Sequence, residues 1–143
     1  MISTDELFQN ARVAPTGMAK WGDVIPEVGS GVYVVSIAHP ASVTLDSLPE
    51  REREYWNPQQ SIIYIGRAAR LSRRLSQFYR HEYGDRSPHY GGQAILKITC
   101  PKRIDWAAVD DYADAEHRLI EAFQTRAEGR MPFGNRVRSA RIA

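Results

Sequence analysis

Runs of β-branched and aromatic residues stand out from a chain otherwise divided between charged stretches and turns. Gly31-Val32-Tyr33-Val34-Val35-Ser36-Ile37 has the make-up of a buried strand, and Ser61-Ile62-Ile63-Tyr64-Ile65 that of a second, stopping at Gly66. Ala94-Ile95-Leu96-Lys97-Ile98-Thr99, closed by Pro101, reads as a third. Helical spacing appears between and after them. Leu71, Leu75 and Phe78 form an apolar stripe that predicts a helix over 69–82, ahead of Gly84. Val109, Tyr112, Ala113, Leu119, Ile120 and Phe123 share one arc, predicting a long helix to about Thr125 capped by Asp105 or Asp111.

Ser3 and Glu6, placed before Leu7 and Phe8, make a capping box for a short helix over 4–12. The stretch from there to Ser30 holds Pro15, Gly17, Gly22, Pro26 and Gly29 and is expected to be irregular. Residues 39–60 are polar, with Pro40, Pro49, Pro58 and a charge run from Glu50 to Glu54. They read as a long loop inserted between two paired strands, with room for one helical turn. Loops of that length are usually functional or mobile. The basic tail after Ala127 contains Pro132 and Gly134. One α/β domain over 1–143 accounts for the chain, with no internal repeat.

Composition narrows the setting. Cys100 is the only cysteine, which excludes an internal disulfide and a multi-cysteine zinc cluster. No apolar run reaches the roughly 18 residues of a membrane span, and the acidic N-terminus has no apolar signal core. A cytoplasmic, membrane-free protein is the expectation. A net charge of +2 says little about partners, but its distribution says more. Arg67, Arg70, Arg73, Arg74, Arg80 and Arg86 gather in one stretch, and Arg126, Arg130, Arg136, Arg138 and Arg141 close the chain. Guanidinium groups suit phosphate, although a solvated basic surface explains the same pattern.

Two helical faces carry the candidate chemistry. Glu116 lies at the middle of the apolar arc of the last helix, whereas Glu121 projects to solvent. A carboxylate there is costly to desolvate unless a cation or strong donors meet it. A buried Glu–Arg pair and a metal ligand both satisfy that requirement. On the preceding helix Arg70, Arg74, Gln77 and His81 form a stripe beside the apolar one, while Arg73 and Arg80 point away. Arg74 is nearest the apolar edge and can reach a site on the sheet.

Gly31-Val32-Tyr33 and Tyr64-Ile65-Gly66 resemble the paired signature of the GIY-YIG nuclease family. The run from Tyr64 to Leu75 is similar to that family's second strand and following helix, with Arg74 at the catalytic arginine position. Glu116-His117-Arg118-Leu119-Ile120 resembles its Glu-x-x-Leu-Ile helix, and Pro132-Phe133-Gly134-Asn135 its closing Pro-x-x-Asn. The matches come in family order over about 26–136. The chain departs in the longer insertion between the triplets, the longer stretch from Glu116 to Asn135, and Phe78, where the family often has His or Tyr.

The resemblance implies a small three-stranded antiparallel sheet flanked by helices, with Tyr33, Tyr64, Arg74 and Glu116 brought to one concavity. It also implies a metal-dependent DNA endonuclease. Glu116 would hold Mg²⁺ (or Mn²⁺), Arg74 the phosphate, and Tyr33 a water-positioning or general-base role for which metal-activated water competes. Asn135 completes the implied catalytic set. Arg67, Arg70, His81 and His89 are candidate substrate contacts, with DNA as partner. A homodimer and restriction, repair or mobile-element roles are all compatible. The principal alternative is a catalytically inactive nucleic-acid-binding module of the same fold, and another is a protein-interaction domain using the charged insertion.

Overall fold

The computed structural model describes residues 1–84 and 92–136, and His89 lies outside them. An antiparallel four-stranded sheet runs in the order β1-β4-β2-β3, with β1 at Gly17–Lys20, β2 at Gly31–Ile37, β3 at Ile62–Ala68 and β4 at Lys102–Ala108. Among the described residues three α-helices flank it: α1 at Thr4–Ala11, α2 at Leu71–Arg80 and α3 at Tyr112–Arg126. The α/β expectation holds, but the sheet has four strands rather than three.

The two extra or displaced strands have identifiable causes. β1 is a short edge strand with every second residue exposed, so no apolar signal marks it. The third strand expected over 94–99 is instead a 3-10 helix at Gln93–Lys97, entered through Gly92 in the left-handed region. Its Ala94 and Ile95, with Ile98 beyond it, are buried all the same, and a short apolar run cannot reveal its own period. The actual strand is β4, where Asp105 lies buried rather than capping a helix. Arg103, two residues earlier on the same face, donates to both carboxylate oxygens of Asp105 at 3.0 Å, which makes that burial tolerable. Asp111 is the cap of α3, accepting from the Asp114 N–H.

α1 begins at its capping box, Ser3 and Glu6 each bonding the other's backbone N–H. It packs on α3, where Arg118 donates to the carbonyls of Ala11 and Arg12 at the end of α1. Leu7, Phe8, Leu119, Ile120 and Phe123 close one face of the sheet with Val32, Val34, Ile62 and Ile65. The opposite face carries Tyr33, Val35, Ile63 and Tyr64 under Leu71, Leu75 and Phe78 of α2. Ala115 joins the buried side of α3, whereas Ala113, in its first turn, is exposed.

β3 continues through Gly66 to Ala68 instead of stopping at the glycine. A bulge separates the pairs Val35↔Tyr64 and Ser36↔Ile62, leaving Ile63 as the extra residue. It puts Tyr64 on the same face as Ile63 and turns Ile62 to the other. The insertion folds into 3-10 turns at Pro40–Ser42, Leu45–Ser47 and Glu50–Tyr55. It is fastened to the C-terminal segment by Arg130, which donates to the Asn57 side chain and the Glu54 carbonyl. The Trp56 and Phe133 rings meet edge to face at 5.2 Å, so Trp56 is core and not a surface contact.

Candidate active site around the edge strand

Tyr33 and Tyr64 come from paired strands and project from the same face, with ring centroids 5.9 Å apart. Gly66 sits opposite Tyr33 in the register, and a Cβ there would lie 2.4 Å from Tyr33 Cζ. The glycine of the second triplet is therefore required by the tyrosine of the first. Gly31 is equally constrained, since a Cβ would meet the Ala107 carbonyl oxygen at 2.1 Å. Gly92 and Gly134 do the same for Tyr64, their hypothetical Cβ atoms falling 2.7 and 2.9 Å from its ring. An isolated glycine in sequence gives no sign of such a contact.

Phe78 fills the position one turn after Arg74, its ring 6.5 Å from Tyr33 and 5.7 Å from Tyr64. This third ring helps to close the cluster: Tyr33 is 0% exposed and Tyr64 only 8%. Burial pushes the Tyr33 pKa well above the ordinary phenol value, and that of Tyr64 up to about 12. The Glu116 carboxylate opposes ionisation of both phenols and the Arg74 guanidinium favours it. The Tyr33 hydroxyl is buried outside good hydrogen-bond geometry, yet the two phenols influence each other's titration.

α2 packs on the Tyr33 face of the sheet and α3 on the Val32 face. Their charges nevertheless meet around β3. Register places Arg67 on the Val32 side of that strand, toward α3, with its Nε 3.8 Å from Glu116 Oε1. Glu116 is 8% exposed, as its place on the apolar arc required. Arg74 is half-buried and Arg73 exposed, also as their faces required.

The remaining candidates are dispersed. Asn135 is buried with its amide closed onto one residue of β3: Oδ1 accepts from Ile65 N–H at 3.0 Å, and Nδ2 donates to Ile65 O at 2.9 Å. The Gly134 N–H donates to Ile63 O at 2.7 Å beside it. Together they satisfy backbone groups on the outer edge of β3. Arg70 is the exposed N-cap of α2, and His81 its buried C-cap, so neither lies on the helix proper.

Among the described residues no group of three or more His, Cys, Asp or Glu side chains is arranged to hold a metal, and no helix is long and apolar enough to cross a membrane. A single buried carboxylate does not form a soft or multidentate cage. It fits a hard cation that keeps most of its waters, as Mg²⁺ does.

The chain is 30% identical over 90 residues to UvrABC system protein C from each of two strains of Porphyromonas gingivalis. The alignment takes in 59% of this chain and 14% of either relative, so the chain matches only a small part of their length. No family model and no solved structure matches it.

Proposed function

We propose that this domain is a metal-dependent DNA endonuclease of the GIY-YIG type. The observation that carries the reading is the pair of packed phenols acted on by one guanidinium and one buried carboxylate around β3. Arg67, 3.8 Å away, offsets part of the cost of burying Glu116, and a bound cation would offset the rest. The likeness to UvrABC system protein C supports a nuclease role.

Hydrolysis of a phosphodiester adds water across one P–O bond, giving a phosphomonoester and an alcohol. Glu116 would hold the cation, which when bound supplies charge for the leaving oxygen. Arg74 holds the phosphate by charge-assisted hydrogen bonds, and Arg67 keeps Glu116 oriented while adding positive charge. With its pKa near 12, Tyr64 is a neutral phenol at physiological pH. It therefore donates a hydrogen bond to a non-bridging oxygen and accepts one from the attacking water, rather than removing the proton outright. Tyr33, wholly enclosed, sets the position of Tyr64 through ring packing. Asn135 acts through the backbone of β3, fixing the strand that presents Tyr64 and Arg67. Arg70, exposed at the start of α2, contacts flanking phosphate.

Supercoiled plasmid incubated with Mg²⁺ and the wild-type chain should be nicked or linearised, and EDTA or Glu116→Gln should prevent it. DNA binding with no cleavage by a folded wild-type chain, in either Mg²⁺ or Mn²⁺, would leave the inactive binding module as the answer.

A further inference from the structure

A cavity of about 380 Å³ opens at the C-terminal end of α2, outside the cluster just described. Its walls include Trp21, Tyr79, Tyr83, Lys97 and Lys102, with Glu82 as its acidic member. Trp21 stands edge-on to Phe78 and to Tyr79, each at 5.0 Å. Phe78 in turn touches both site phenols, so one ring separates the cavity from the candidate active site.

The chemistry of the walls is specific. Lys97 Nζ lies 5.8 Å from the centre of the Tyr83 ring, and Lys102 Nζ lies 5.3 Å from that of Trp21. Neither ammonium forms an ion pair with a carboxylate among the described residues. Lys102 donates to the Ile98 carbonyl at 2.6 Å, which leaves further N–H donors of the ammonium for a ligand. Burial also pushes its pKa down, so a nearby anion would relieve a desolvated charge. Aromatic walls with unneutralised cations are the combination that binds single nucleic-acid strands, bases on rings and phosphates on ammonium groups. The volume lies within the usual range of small-molecule sites, roughly 300–1,000 Å³.

We propose that this cavity is a nucleotide subsite. It receives one unstacked nucleotide of the strand whose neighbouring phosphate lies at Arg74, its base against Trp21 and Tyr83 and its phosphate on Lys97 and Lys102. A base inside an intact duplex cannot enter a concave site, so the preferred substrate carries an unpaired nucleotide beside the scissile bond. The identity of the strand rests on the nuclease reading, but the binding test does not.

Trp21 provides the signal, because Trp56 and Trp106 are 5% and 6% exposed and Trp21 is more open. The full chain in EDTA would be titrated with a short oligothymidylate, a duplex of equal length and thymidine monophosphate, following tryptophan fluorescence. The oligothymidylate should quench it, and Trp21→Phe should remove the response while melting like wild type. Tyr83→Ala should weaken binding roughly fivefold or more. Lys97→Ala should lower the slope of log affinity against log salt by about 0.7. Equal affinity for the duplex, equal affinity for the monophosphate, or wild-type binding by both Tyr83→Ala and Lys97→Ala would overturn the subsite. Strand binding without Mg²⁺-dependent cleavage would uphold the subsite and remove the nuclease reading. Cleavage with binding unchanged in both variants would remove the subsite alone.

Discussion

The ring of Tyr33 occupies the space that a side chain at Gly66 would need. The two residues are partners across β2 and β3, one from each tyrosine-containing triplet. Gly66→Ala is therefore expected to displace a fully enclosed ring and to cost about 1–3 kcal/mol, as overpacking does. Urea unfolding would measure the loss, and cleavage should fall further than stability because Tyr64 moves with Tyr33.

Glu116→Gln keeps the shape of the side chain and removes its charge. Cleavage in Mg²⁺ should drop by about 10²-fold or more, the scale seen when one strong electrostatic group is removed from an active site. The same substitution should lower the Tyr64 pKa, since the carboxylate opposes its ionisation. Tyrosinate absorbance during alkaline titration reads that shift independently of catalysis.

Neighbouring arginines on α2 separate by face. Arg74→Ala should abolish most cleavage and raise the Tyr64 pKa, because that guanidinium favours the phenolate. Arg73→Ala, at an exposed position, should change stability by no more than about 0.5 kcal/mol and leave most activity. Plasmid nicking by the two variants side by side is the test, and equal losses would contradict the facing argument.

Alkali should destabilise the fold before it activates the phenols. Tyr64 keeps its proton to about 12 when folded, against an ordinary value of 10.0. Between those values unfolding releases the proton, so stability is complete below 10 and declines as pH rises through the window. Tyr64 alone would account for about 1.4 kcal/mol per pH unit there. Tyr33 adds in the same direction, and Tyr79, half-exposed, adds less. Thermal melts from neutral to strongly alkaline pH should follow this course, while activity shows no tyrosine ionisation near 10.

Asn135→Asp distinguishes the two halves of the amide contact. A carboxylate can still accept from Ile65 N–H, but it cannot donate to Ile65 O as Nδ2 does. The buried carbonyl is left facing negative charge, and a loss of about 1–3 kcal/mol is expected from the unmet acceptor alone. Denaturant melts compare it with Asn135→Ala, which should also free the N–H.

Sequence pattern is sufficient where the local signals agree. β2 falls at the expected residues, and α1 carries its expected capping box. Glu116 was legible because a charge on an apolar arc contradicts the pattern around it. β4 was hidden by its own chemistry, since Lys102, Arg103 and Asp105 read as a polar link until the Arg103–Asp105 pair is seen. The bulge at Ile63 was equally hidden, as the apolar run from Ile62 to Ile65 gives no phase. The glycines against Tyr64 depend on contacts from distant segments, which no local window contains. Family likeness marked the position of Asn135, but not that its amide would close on the backbone of Ile65.

That closure has a consequence for solubility. β3 ends the sheet, and the groups met by Gly134 and Asn135 would otherwise be open donors and acceptors on a largely apolar ribbon. Exposed ribbons of this kind recruit strands from other molecules. A chain cut short before residue 134 should accordingly self-associate into sticky multimers on standing, a failure that light scattering would register before any assay of DNA.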